Sequence, residues 1–248
     1  MATKTLSILL GCTQDQEQMK TLMTLYLPGF ASALKVYLER LDFTTVKWLS
    51  LELSRCVKHF YNFKGQQWLS EQYTIEMLDW MSKVVETVQL DKAERLSQFE
   101  GAKRKMTEED VEEFYEDIER IDKVLNYVME ITGVCLRTMP DLVSDTILAK
   151  FVAPYAKALA DVTKSKEYEL ICSLCFFCDC LEHGSARLLT TILTQLPEKF
   201  FQVMQIQQAL PLDEVNRDLV QTCIFGMGLL CMKMPAETFP LANVFSSI

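Results

Sequence analysis

The chain has 248 residues, 49% of them hydrophobic and 24% charged, which excludes wholesale disorder and supplies enough apolar surface for a sizeable core. Only 8 glycines and 7 prolines stand against a vocabulary of Leu, Met, Glu, Lys, Gln and Ala. That balance argues against a sandwich or doubly wound sheet and sets the fold class as all-α. The formal net charge of −9 argues against a nucleic-acid partner and for basic peptides or proteins.

At the start of the chain, the apolar run Leu6–Leu10 is too short for a signal peptide, and Leu9-Leu10-Gly11-Cys12 lacks the preceding segment that a lipoprotein cleavage site needs. The first hairpin then reads as Pro28 near its start and Leu34, Leu38 and Leu41 along its first helix. Asp42 sits in the turn, where it can cap exposed N–H groups, and Val46-Lys47 opens the second helix, with Lys47 able to reach an acidic neighbour. Further apolar blocks run at about Val46–Phe60, Glu71–Val88, Leu142–Ala160, Lys166–His183, Ala186–Met204 and Val215–Met232. Between Val88 and Ile118 the pattern breaks in a charged insertion at about residues 91–117. There Lys103-Arg104-Lys105 is followed by Thr107, a fitting N-cap, and the acids Glu108 to Glu119. With no breaker before Gly133, two readings stand: one helix of about 25 residues from Glu108, its acidic half projecting, or a solvated and partly disordered charged insertion ahead of the apolar stripe. Ile121, Val124, Leu125, Val128, Ile131 and Cys135 form its apolar stripe.

The links are short: Tyr26-Leu27-Pro28-Gly29, Met139-Pro140-Asp141, His183-Gly184-Ser185 and Leu210-Pro211-Leu212-Asp213. Short links make neighbouring helices antiparallel. Helices opening near Ile118, Lys166 and Val215 recur every 48 to 49 residues, close to the roughly 40–47 of HEAT and armadillo repeats. The expectation is a right-handed α-solenoid of HEAT repeats, four to five stacked antiparallel hairpins forming a single segment over 1–248.

Cys172, Cys175, Cys178, Cys180 and His183 have the chemistry of zinc or iron–sulfur ligands. They lie, however, within a predicted continuous helix, interleaved with Phe176 and Phe177, so they read as small buried hydrophobes and no metal is expected. His59 and His183 are the only histidines, neither beside a nucleophile signature, and Gly226-Met227-Gly228 has no strand before it. The pair reads as room for close helix packing. Neither an enzyme nor a cofactor is expected. Leu170–Cys178, the longest apolar stretch, covers half a bilayer at most, so no membrane insertion is expected.

The stretch Ser173–Ser185, SLCFFCDCLEHGS, resembles the karyopherin-β importins of the karyopherin-β3 type through Leu174, Cys175, Phe177, Asp179, Glu182 and His183. Phe225-Gly226-Met227-Gly228 is similar to an aromatic-glycine-leucine-glycine of a later repeat in that family, and the basic-then-acidic insertion recurs there too. The family's valine-arginine at the opening of the later helix reads Leu219-Val220 here. The resemblance implies a C-terminal piece of a much longer receptor, ending inside the first helix of another repeat. It implies shuttling between cytoplasm and nucleus, binding of basic nuclear-localisation-signal cargo, and release by the GTP form of Ran. Ran and nucleoporins would act through the full-length protein. The same architecture also serves a scaffold subunit of a multiprotein complex with no transport role. In the importin reading, second helices line an acidic inner wall. Its candidate cargo contacts are Glu52, Asp122, Asn126, Glu130, Glu169, Asp179, Glu182, Asn216 and Asp218. Trp48, Trp68 and Trp80 sit in periodic blocks and are expected in the core.

Overall fold

The computed structural model describes residues 15–61, 71–102, 106–163 and 165–233, and every regular element among them is helical. They divide between Thr138 and Met139 into two compact units.

The first unit holds α1 (Gln16–Glu39), α2 (Phe43–Tyr61), α3 (Glu71–Ala102) and α4 (Glu108–Thr138). Asp15 caps α1, accepting from the Glu17 N–H at 2.9 Å. The link read at Tyr26–Gly29 is instead inside α1, which runs through Pro28. Proline removes one donor from the ladder, but the helical turns on both sides hold the chain across it. The α1–α2 turn is tight enough to put Leu41 at φ 53°. Asp42 then caps α2 as its position predicts, accepting from the Thr45 N–H at 3.1 Å and the Thr45 hydroxyl at 2.7 Å. The hydroxyl bond, then the backbone bond, holds the Asp42 carboxyl below its ordinary range.

Along α2 the stripe Val46, Leu49, Leu53, Cys56 and Val57 is buried. Trp48 falls on the other face and is 53% exposed, with the Lys47 ammonium 5.1 Å from its ring centroid. The core placement expected of Trp48 is therefore incorrect: the block is periodic, but position 48 is off its buried stripe. Trp80 is half-buried, and Trp68 lies outside the described residues.

The charged insertion is the end of a long hairpin. Residues 91–102 complete α3 and residues 108–117 open α4, while 103–105 lie outside the described residues. Phe99 stacks on Phe114 with centroids 3.9 Å apart, Arg95 lies 3.6 Å from Asp117, and Lys92 pairs with Asp122. Rising numbers on α3 meet falling numbers on α4, so the two are antiparallel. Thr107 caps α4, its hydroxyl accepting from the Asp110 N–H at 3.2 Å while the Asp110 carboxylate accepts from the Thr107 N–H at 2.9 Å. The second helices α2 and α4 instead run parallel. Ser54 and Lys58 both reach Glu130, at 2.5 and 2.7 Å, and nearer their starts Lys47 adds its charge to those acting on Glu119.

The second unit holds α5 (Pro140–Lys150), α6 (Val152–Ala160), α7 (Glu167–His183), α8 (Ala186–Ile192), α9 (Leu196–Gln208) and α10 (Arg217–Lys233). Two blocks that read as single helices are each broken, at Phe151 and at 193–195. Pro154 and Pro197 follow those breaks and cannot donate to the carbonyls of Lys150 and Leu193. α6 packs on α7 through Tyr155 stacked on Phe176, centroids 4.4 Å apart. α9 packs on α10 through Phe200, so close to Gly226 that a Cβ there would lie 2.2 Å from the ring. Of the two paired glycines, Gly226 fills the close-packing role; at Gly228 a Cβ would meet nothing within 4 Å. As in the first unit, the second helices α7 and α10 are parallel. Glu167 meets Asn216, Cys175 meets Thr222, and the Glu182 carbonyl accepts from Lys233.

Candidate functional site

Of the nine residues read as cargo contacts, the three carboxylates of the first unit, Glu52, Asp122 and Glu130, are engaged within the fold. Glu52 is 3% exposed; one oxygen accepts from Arg55 at 2.7 Å, and the other is buried with no hydrogen-bond partner among the described residues. Asp122 is buried against Lys92. Glu130 is held between Ser54 and Lys58 in the α2–α4 seam. Asn126 is half-buried on α4. The face that α2 shows to solvent carries Trp48, Arg55 and Lys58, so it is not an acidic wall.

The second unit gathers the rest along one seam. Asn216 caps α10, its side-chain oxygen accepting from the N–H groups of Asp218 and Leu219, both at 3.1 Å. Its amide also donates to Glu167 at 2.6 Å, and its own N–H donates to Gln207 at 2.8 Å. Glu169 accepts from the Lys166 N–H at 3.1 Å, closing the first turn of α7. Both therefore have structural duties at helix starts. Asp218 and Glu182 are exposed, and Asp179 is half-buried between them. Burial first, then the nearby Asp179 and Asp218 carboxylates, push the Cys175 thiol up, while its contact with Thr222 pulls it down. Asp179 stands one helical turn after Cys175 on α7, and Asp218 one turn before Thr222 on α10, so the two carboxylates flank the Cys175–Thr222 contact. Glu182 lies one turn beyond, 3.5 Å from the His183 ring, and Lys233 closes that end. The arrangement is an acidic edge on which Glu182 and Asp218 are exposed. Its chemistry is electrostatic attraction of cations.

The cysteine run lies on α7 without interruption, as its spacing predicts. Cys172, Cys178 and Cys180 are buried at different angles around the helix, and Cys175 is half-buried. Among the described residues no three His, Cys, Asp or Glu side chains are arranged to hold a metal ion. No described helix is long and apolar enough to cross a membrane.

Burial raises several of the thiols. It pushes Cys56, Cys135 and Cys223 up to about 12, and Cys178 and Cys180 well above the ordinary thiol range. A thiol whose folded pKa exceeds its unfolded value contributes stability that is complete below about pH 9 and lost as pH climbs toward 12. Denaturant midpoints are therefore expected to be flat from pH 7 to 8.5 and to fall between pH 9 and 11. At pH 8, peptide mapping after alkylation should show Cys231 modified well before Cys56, Cys135 or Cys180. Equal labelling of all four would contradict this burial.

No known family model, curated protein or solved structure matches this chain.

Proposed function

We propose that the chain is a stretch of HEAT-repeat solenoid from a nuclear transport receptor of the importin kind, and that its α7–α10 edge helps to hold basic protein cargo. The observation that carries this reading is the parallel pair α7 and α10 in contact through Cys175 and Thr222, with Asp179 one helical turn after Cys175 and Asp218 one turn before Thr222. Stacked hairpins with parallel second helices are the arrangement a HEAT solenoid repeats, which supports the architecture. The sequence likeness at Ser173–Ser185 and Phe225–Gly228 supports the transport role. In the full-length receptor, release by Ran-GTP, nucleoporin contact and shuttling between cytoplasm and nucleus would follow from that role. A second reading, a scaffold subunit without transport, is favoured by Glu52, Asp122 and Glu130, whose carboxylates are committed to the fold.

The reading is tested with a labelled lysine-rich peptide and the full chain. Screening shortens from about 10 Å at 0.1 M salt to about 3 Å at 1 M, so binding is expected to collapse over that range. Asp218→Lys with Glu182→Lys should weaken binding about tenfold, since each exposed pair contributes roughly 0.2–1 kcal/mol and the reversal adds repulsion. Glu112→Lys with Glu113→Lys on the α3–α4 hairpin changes net charge equally and should have a much smaller effect. Equal losses would mean diffuse attraction with no site at the edge, and no peptide binding at all would favour the scaffold.

A further inference from the structure

The last described helix is apolar on two faces. Leu219, Cys223, Met227 and Leu230 are buried against the rest of the unit, whereas Ile224, Phe225 and Met232 are 56%, 52% and 73% exposed. Between Phe225 and Met232 lies Gly228, where a Cβ would meet nothing within 4 Å, so the outer face has a notch in it. α2 in its turn holds Trp48 outside its buried stripe, 53% exposed. Tryptophan is among the residue types most enriched at the centres of interfaces.

The α7–α10 seam shows how two second helices pair in this protein. Glu167, the first residue of α7, accepts from Asn216, the cap of α10. Cys175 and Cys178, eight and eleven residues after Glu167, meet Thr222, which stands five after Arg217, the first residue of α10. Counted in the same way, Phe225 and Gly228 stand eight and eleven residues after Arg217, and Trp48 stands five after Phe43, the first residue of α2. Asp42 caps α2 as Asn216 caps α10. The same rule of pairing therefore lays an α2 along α10 with Trp48 over Phe225 and the Gly228 notch. It also sets Asp42 beside Arg217, which is exposed. Two aromatic rings meet, and so do two opposite charges. The flank of α2 used is not the one that α4 takes. Ser54 and Lys58 meet Glu130 there, and Trp48 lies about a third of the way round the helix from Ser54. Within one chain both Trp48 and Phe225 remain exposed, so the pairing joins separate copies.

We propose that copies of this chain associate head to tail, the outer face of α10 in one copy against the Trp48 face of α2 in the next. The proposal rests on this register and is independent of the cargo reading. The two faces differ, so the contact is heterologous and every copy offers both halves of it. Two helix flanks make a small interface, below the roughly 1,200 Å² of stable complexes, so the association is a weak one.

Sedimentation velocity of the full chain is expected to show species growing beyond the dimer as concentration rises through the micromolar range. Trp48→Glu spoils the α2 face and leaves that of α10, while Phe225→Glu does the reverse, so each variant alone should stay monomeric. Mixed, the two should form a one-to-one dimer and nothing larger, which also shows that both are folded. Self-association of either variant alone would mean that a face pairs with its own kind, and would overturn the proposal. A mixture that stays monomeric, or a native chain monomeric throughout, would overturn it as well. Asp42→Asn keeps a capping oxygen on α2 but removes its charge. That variant and Arg217→Gln should each weaken association about two- to fivefold, and the two together no more than either alone. Losses that add would place the two residues apart and contradict the register.

Discussion

Replacing Lys92 with methionine is expected to destabilise the first unit by about 3–5 kcal/mol, the largest single effect we foresee. Lys92 and Asp122 are both buried, 6% and 5% exposed, and pair across the α3–α4 hairpin. Methionine keeps the length of the side chain but leaves the Asp122 carboxylate in an apolar setting without that cation. The double replacement Lys92→Met with Asp122→Leu removes both charges and should recover most of the loss, because a buried pair contributes little beyond what well-packed apolar groups of similar volume would. The two units need not unfold together, so the loss is best read from amide exchange in α3 and α4 during urea titration. A single replacement costing under about 1 kcal/mol would mean that water or the other groups around Asp122 satisfy its carboxylate.

The two glycines of α10 should respond in opposite directions. A Cβ at Gly226 would lie 2.2 and 2.4 Å from two ring atoms of Phe200, which is fully buried and cannot swing away. Gly226→Ala is expected to cost about 1–3 kcal/mol by overpacking, more than the helix preference of alanine returns, and Gly226→Val to cost more still. At Gly228 a Cβ meets open space, so Gly228→Ala should stabilise by up to about 1 kcal/mol. Thermal denaturation of the two alanine variants side by side checks this, and a stabilised Gly226→Ala would show that the ring has room to retreat.

Local features were the most legible in the sequence. The caps at Asp42 and Thr107 follow from a side-chain oxygen three residues before an N–H that needs an acceptor, and both form. The uninterrupted cysteine helix follows from spacing and the absence of any breaker. Pairings between distant segments were illegible. Asp122 reads as a polar-face residue because nothing near it in sequence announces Lys92, thirty residues earlier. Glu52 likewise reads as solvent-facing, and its burial depends on how neighbouring elements close over α2. The charged insertion hides the Phe99–Phe114 stack, since one aromatic among many charges carries little periodic signal. At the acidic edge, residue types are legible, but only the packed helices separate Asn216 and Glu169, which hold helix starts together, from Asp179, Glu182 and Asp218.

In the second unit the breaks at Phe151 and at 193–195 both lie in the first-helix layer, while α7 and α10 are unbroken rods. A layer with joints stretches and shortens more readily than one without, so the unit's compliance has a direction. At the α7–α10 seam the polar contacts between Cys175, Cys178 and Thr222 are long sulfur contacts of 3.8–3.9 Å. Sliding α7 along α10 must break the short Asn216–Glu167 bond at the seam's start. The acidic edge is thereby carried on the two unbroken helices of the unit, which hold its carboxylates in register.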